Sequence, residues 1–173
     1  MNAVFPVERG GDAPSLTYIA AADLDRFGCR PLGQVDVLDL RDRRAGQLDG
    51  IIIDRRQDSP IFLVVAEDEG ERTTPRRGTR MLVPVGDAWF DDTERAVRID
   101  APGAQRITFD PGAFERMTTV EADEFERRVL AVCCPEVGFH RDGRPDYERL
   151  KRFRCPAWLR PAQAGESGGR SSA

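Results

Sequence analysis

The residue types most able to do chemistry lie close together in the last third of the chain. Cys133 and Cys134 are adjacent, and His140, the only histidine, follows them. A cysteine becomes a nucleophile when a nearby base or cation favours its thiolate. The alternative is that both thiols are small apolar groups at the buried end of a helix, which is the more common role of a free cysteine. The sequence favours this second interpretation.

Cys155 would complete a set of four zinc-type ligands with Cys133, Cys134 and His140. Their spacing lacks a C-x₂-C knuckle, and adjacent cysteines on a helix point in different directions. The acidic runs at Asp91-Asp92 and at residues 67–69 are more typical of solvated loops than of cation sites. We therefore expect no metal, no other cofactor and no catalytic activity.

Arginine and aromatic side chains form the other candidate, a binding surface. We assign it eight residues: Arg72, Arg76, Arg77, Arg80, Trp89, Phe90, Arg152 and Trp158. Trp and Arg are enriched where proteins bind one another. The arginines also suit RNA phosphates, but the loop around Arg76 has no aromatic residue on which a base would stack. An ion-paired, solvated surface is the more common role of such arginines.

Charge and apolar patterning exclude several classes of protein. The chain has 173 residues, with 26 basic and 30 acidic side chains and a net charge of −4, whereas duplex DNA binders usually carry a basic excess. No run approaches the ~20 apolar residues of a membrane helix. The N-terminal residues do not form a secretory signal. We expect a soluble cytoplasmic protein with free thiols and no membrane contact.

Short β-branched runs separated by turns dominate the middle of the chain. They predict strands within residues 35–40, 48–54, 61–66, 81–85 and 96–99. Asp87 to Asp92 predicts a turn or a single helical turn. Since no helical pattern separates the strands, they favour a small antiparallel β-barrel over an α/β sheet.

The segments on either side of these strands predict helices. Leu24, Phe27 and a stop at Gly28 indicate a short N-terminal helix. A cap at Thr118 or Thr119 begins a helix whose apolar face carries Phe125, Val129, Leu130 and Val132. Pro145 to Phe153 predicts a second short helix. The expected organisation is a flexible arm (1–15), a helical lead-in (16–29), a barrel (30–102), a helical extension (103–160) and a disordered tail (161–173).

An ordered set of motifs within the predicted barrel resembles the PRC-barrel family. The motifs are Leu32-Gly33-Gln34-Val35, the turn and strand from Asp42 to Leu48, Ile51-Ile52-Ile53-Asp54, Ile61 to Val65, Met81-Leu82-Val83-Pro84-Val85 and Val97-Arg98-Ile99. The resemblance implies a mainly β fold shared with the C-terminal domains of the photosynthetic reaction-centre H subunit and of the bacterial ribosome-maturation factor. Too few residues precede the motifs for the maturation factor's additional barrel, and the H subunit's membrane helix is missing. The chain thus resembles a freestanding PRC-barrel protein.

The leading functional hypothesis is a non-catalytic adaptor that binds a protein partner or a second copy of itself. The family resemblance suggests two alternatives, a ribosome- or RNA-associated assembly factor and a soluble protein like the reaction-centre H subunit. A thiol- or metal-dependent enzyme at Cys133, Cys134 and His140 is the remaining hypothesis.

Overall fold

The computed structural model describes residues 14–67, 79–100 and 106–162. Its strands are β1 (Leu16–Ala20), β2 (Asp36–Leu38), β3 (Arg44–Asp54), β4 (Ser59–Glu67), β5 (Thr79–Pro84), β6 (Ala88–Asp91), β7 (Ala96–Ile99) and β8 (Arg106–Thr108). Its α-helices are α1 (Pro111–Glu115) and α2 (Thr119–Cys133). Short 3₁₀ helices lie at Ala21–Phe27, Val85–Asp87, Lys151–Phe153 and Ala157–Leu159.

The strands form one open sheet, so the predicted closed antiparallel barrel is wrong. Seven strands follow the order β6-β7-β2-β3-β4-β5-β8, and β1 joins by pairing with β3. The long strand β3 pairs with β2 through its first half and with β1 through its second half. Strands β2 and β7 run parallel, which makes the sheet mixed. Short strands separated by turns do not specify this pairing, because β2 and β7 are far apart in the sequence.

Alternating side chains of the sheet enter two separate cores. Along β3, Ile51 and Ile53 enter a first core that also contains Val37 of β2 and Val97 of β7. Ile52 points the other way, into a second core that α1 and α2 cover with Phe114, Phe125 and other side chains. Strand β4 is buried on both faces for the same reason. The helices therefore form a layer over one face of part of the sheet.

Two glycines allow neighbouring strands to approach β3 closely. A Cβ atom at Gly50 would lie 2.4 Å from the carbonyl oxygen of Ile19 on β1. A Cβ atom at Gly46 would lie 2.0 Å from the carbonyl oxygen of Ala66 on β4. Only glycine fits such contacts, so these positions fix how closely the strands pack.

The predicted N-terminal helix is also wrong. Leu16–Ala20 forms strand β1, whose backbone pairs with the second half of β3. The following Ala21–Phe27 is a 3₁₀ helix, and Gly28 ends it in the left-handed conformation, as the sequence indicated. Sheet pairing thus takes the first residues of the predicted helical lead-in, and the pattern at Leu24 and Phe27 forms a 3₁₀ helix rather than an α-helix. Strand β1, like β8, lies outside residues 30–102.

Of the two helices predicted in the C-terminal part of the chain, the structure confirms the first. Helix α2 is confirmed, with Thr118 as its N-cap in a capping box with Glu121 and with Phe125, Val129 and Leu130 buried. Val132, assigned to the same face, is exposed. The helix from Pro145 to Phe153 is wrong except for the 3₁₀ turn Lys151–Phe153. Pro145 instead forms a β-bridge with Phe139, and local backbone bonds from His140 N–H to the Arg144 carbonyl and from Gly143 N–H to the His140 carbonyl close the loop between them.

Candidate functional site

Strand β6 ends the sheet and presents two aromatic side chains on opposite faces. The sequence predicts a turn here, but Ala88–Asp91 pairs with β7 as an antiparallel strand. Ala88 is buried and Trp89 is 41% exposed, so the indole of Trp89 faces outward. Phe90, the next residue, packs against the first core. Because successive side chains of a strand point to opposite faces, Trp89 faces solvent whereas Phe90 faces the core.

The face that carries Trp89 is not covered by the helices. None of the described residues in the second core comes from β2, β6 or β7. Trp89 lies opposite Arg98 on β7, and Arg98 lies beside Leu38 on β2. The half-buried Leu38 extends this face beyond Arg98. The result is a row of aromatic, cationic and aliphatic side chains on the sheet, in which Trp89 is 41% exposed and the ion-paired Arg98 side chain is 17% exposed.

A three-membered stack lies on the other side of β6. The guanidinium carbon of Arg30 lies 4.3 Å from the ring centre of Phe90. The ring of Trp158 lies 6.2 Å from that of Phe90, at an angle of 37°. The indole nitrogen of Trp158 donates to the carbonyl oxygen of Ala88 at 3.3 Å. Cation–π and aromatic contacts of this kind hold their members in place. We call Arg30, Trp89, Phe90, Arg98 and Trp158 the β6 surface.

Ion pairs neutralise the charges around β6. The Asp91 carboxylate accepts from Nε of Arg98 at 2.8 Å, and this bond is the main reason that the pKa of Asp91 is lowered. Asp92 accepts from Arg30 at 3.0 Å. Asp87 accepts from Nε of Arg152 at 2.8 Å. The surface therefore offers contact area and paired charges rather than a strong field of one sign.

The structure brings together about half of the residues assigned to the predicted interaction surface. Trp89, Phe90 and Trp158 all lie at β6, with Trp89 on one face and Phe90 and Trp158 on the other, and Arg152 adjoins the strand through Asp87. Arg80 lies on β5, apart from β6 in the sheet order, where it pairs with Asp49 at 3.3 Å. The remaining three, Arg72, Arg76 and Arg77, lie outside the described residues. Sequence reasoning missed Arg30 and Arg98, because nothing local marks a loop or strand arginine as an aromatic ring's neighbour.

The thiol and zinc candidates are dispersed. Cys134 is fully buried in the second core, and burial raises its pKa to about 12. Cys155 packs against the first core, on the opposite side of the sheet. His140 Nε2 instead approaches Asp146 Oδ1 at 3.8 Å. Within the described ranges, no group of three or more His, Cys, Asp or Glu side chains could hold a metal ion.

The acidic pair Asp91-Asp92 is also dispersed. Asp91 bonds Arg98 and Asp92 bonds Arg30, on different faces of the sheet. The carboxylates of Asp91 and Asp92 therefore do not gather around a common point, as a divalent cation requires. In the acidic run at 67–69, only Glu67 lies among the described residues.

A buried polar network joins α2 to the sheet. Glu126 Oε1 accepts from Tyr147 Oη and from a terminal nitrogen of Arg56, each at 2.6 Å. Arg56 Nε also donates to Asp54 at 2.7 Å. Asp54, Glu126 and Tyr147 are almost wholly buried. Because substrate would not reach these groups, we assign the network a structural role, fixing how α2 sits on the sheet.

A shallow groove of about 440 Å³ lies beside the loop after α2. Phe139, His140, Arg141 and Arg149 are among its lining residues. Asp146 at its wall pairs with Arg149 at 2.8 Å. Because Asp146 and Arg149 pair with each other, the lining of the groove does not indicate the charge of a ligand. The β6 surface is therefore the stronger candidate for a binding site.

Comparison with known proteins identifies no relative of this chain. Scanning the chain against models of protein families finds no match, and a search among curated proteins finds none either. The resemblance to PRC-barrel domains therefore rests on the sequence motifs alone. Among the described residues, no helix has the length and apolar character needed to cross a membrane.

Proposed function

We propose that this chain is a non-catalytic binding protein that holds a protein partner on the β6 surface. The observation that carries the proposal is Trp89, whose indole is 41% exposed on a strand at the end of the sheet. A large aromatic group on rigid backbone loses little conformational entropy when a partner covers it. Tryptophan and arginine, here Trp89 and Arg98, are also the residues that most often dominate binding energy.

The ion pairs of the candidate arginines favour a protein partner over RNA. Arg80 and Arg152, two of the arginines assigned to phosphate contacts, are ion-paired with carboxylates. Arg98 also pairs with Asp91 and Asp42. A phosphate would have to displace these carboxylates, whereas an apolar side chain would pack on the indole without breaking an ion pair.

The test is a comparison of three full-length baits in affinity purification with quantitative mass spectrometry. Wild type is compared with Trp89→Ala and with Val120→Ala, whose side chain is 67% exposed at the start of α2. We expect a protein that wild type and the Val120 variant retain and the Trp89 variant loses. Reconstitution with that protein should show affinity weakened at least about tenfold by Trp89→Ala.

Two results would contradict the proposal. One is a set of bound proteins that does not differ among the baits while circular dichroism shows all three folded. The other is recovery that nuclease treatment abolishes and Trp89→Ala leaves intact, which would identify RNA as the partner.

A further inference from the structure

The buried network between α2 and the sheet contains more acidic than basic groups. Asp54 and Glu126 supply two carboxyl groups, Arg56 supplies one guanidinium and Tyr147 supplies a neutral hydroxyl. The side chains of Asp54 and Glu126 are 1% and 2% exposed. With both carboxyl groups ionised, the network would hold one uncompensated negative charge in the interior, where such a charge is strongly unfavourable.

Asp54 also has an oxygen that lacks a hydrogen-bond donor. Asp54 Oδ1 accepts from the backbone N–H of Arg56 at 3.0 Å and from its Nε at 2.7 Å. Oδ2 is buried and accepts from no described group. Such an oxygen has lost its water without gaining a donor, which penalises the ionised form of the carboxyl pair. A proton on either carboxyl group would cancel the excess charge and turn one acceptor oxygen into a donor.

Among the described residues, the titratable groups that act most strongly on Glu126 all belong to this network. Asp54 and Arg56 face it from the end of β3 and the turn that follows, and Tyr147 faces it from the loop after α2. Burial raises the pKa of Glu126, its bonds to Tyr147 and Arg56 oppose that rise, and the charge of Asp54 adds to it. Because Asp54 and Glu126 act on each other, they titrate as a coupled pair.

The network links α2 to the turn between β3 and β4. Glu126 lies on the buried face of α2, beside Phe125 and one turn before Val129, both of which cover the second core. One turn earlier, Asp123 accepts from Ser15 Oγ at 2.9 Å, directly before β1. The charge state of the Asp54–Glu126 pair therefore acts at the point where α2 meets the sheet.

We propose that the buried network is a pH-sensitive latch: the Asp54–Glu126 pair takes up one proton when α2 packs on the sheet, and release of that proton loosens the helix. The folded pair holds this proton more tightly than the unfolded chain does. Its contribution to stability is complete below about pH 4.5, the ordinary pKa of a glutamate, and is lost as the pH rises through the higher folded value. The inference does not rest on the β6 surface.

The test compares full-length wild type with Glu126→Gln and with Glu124→Gln, an exposed change on the same helix. Urea unfolding between about pH 5 and pH 8 gives the unfolding equilibrium constant of each chain. Relative to the Glu126 variant, that of wild type should rise by up to about tenfold per pH unit, the limit for one proton. Hydrogen exchange followed by mass spectrometry should place the same loss of protection in α2. Glu124→Gln should keep the wild-type dependence.

A measurement on wild type decides the question even if Glu126→Gln fails to fold. NMR titration of the side-chain carboxyl carbons should show at least one of Asp54 and Glu126 taking up its proton above the ordinary range. Two results would overturn the proposal. One is that both carboxyl carbons titrate at or below their ordinary values. The other is a folded Glu126→Gln chain with the same pH dependence as wild type.

Discussion

Trp158 donates its indole N–H to the carbonyl oxygen of Ala88 across 3.3 Å, although seventy positions separate the two residues. This bond fastens the last described segment to the outer edge of β6. The same indole packs against Phe90, so one side chain stabilises both the edge and the aromatic stack.

Removing this bond should cost a measurable share of stability. Trp158→Phe keeps an aromatic ring but leaves the Ala88 carbonyl without its donor. We expect the free energy of unfolding to fall by about 1 kcal/mol in urea denaturation. Trp89→Phe is the matched control, and its change should stay within about 0.5 kcal/mol because Trp89 belongs to neither core and is 41% exposed. Equal losses in both variants would argue against a role for the indole bond.

Tyr147 tests the buried network in the same way. Tyr147→Phe removes the hydroxyl donor to Glu126 and leaves the ring in place. Because the acceptor is a buried carboxylate, we expect a loss of about 2 kcal/mol in the free energy of unfolding. Glu124→Gln, an exposed change on the same helix, should be nearly neutral. A Tyr147 variant as stable as the Glu124 variant would show that the network contributes little.

The buried thiols of Cys29 and Cys134 should be unreactive at pH 8. Burial raises the pKa of Cys29 from 9.0 to about 11, which lowers its thiolate fraction about a hundredfold. Cys134, with a pKa raised to about 12, should react more slowly still. Titration with a chromogenic disulfide before and after unfolding measures this. Fast labelling of Cys134 in the folded chain would revive the nucleophile hypothesis.

The same shifts predict alkaline destabilisation. The folded state holds these thiol protons more tightly than the unfolded state, so unfolding releases protons and becomes easier as pH rises. The contribution of Cys134 is complete below about pH 9 and is lost as pH rises towards 12. Cys134→Ala should therefore flatten the fall in stability over this range. An unchanged slope would show that the thiol does not carry it.

Gly50 should tolerate no side chain. In Gly50→Ala the new methyl group would lie 2.4 Å from the Ile19 carbonyl oxygen and 2.5 Å from the Tyr18 ring. Because β1 must move away, we expect a loss of about 3 kcal/mol in urea unfolding. Gly138→Ala is the control, since nothing lies within 4 Å of its added atom. Similar stability of the two variants would contradict the close packing of β1 on β3.

Local patterns in the sequence identified much of the secondary structure. The run from Ile61 to Ala66 is β-branched and aromatic, and it lies within β4. The sequence also predicted helix α2, since Thr118 supplies a cap and Phe125, Val129 and Leu130 recur at helical spacing. These signals are strong because each depends on residues within one or two turns of one another.

The sequence predicted only part of the candidate site. Trp89, Phe90, Trp158 and Arg152 were singled out by residue type, and they gather around β6. Arg30 was not, because Phe90 and Asp92 lie far away in the chain, and Arg98 was not, because the pairing of β6 with β7 sets its position beside Trp89. Nor did the sequence place Cys134 and Cys155 on opposite sides of the sheet.

By itself the sequence determined five of the strands (β2, β3, β4, β5 and β7), where α2 begins and which side chains are suited to contact. Only the tertiary structure decided that the sheet stays open, that β1 replaces a helix and that the Trp158 indole covers the edge of β6. The physical reason is that strand pairing joins residues distant in the chain. Its energy depends on partners, such as β7 for β2 and β3 for β1, that no local pattern names.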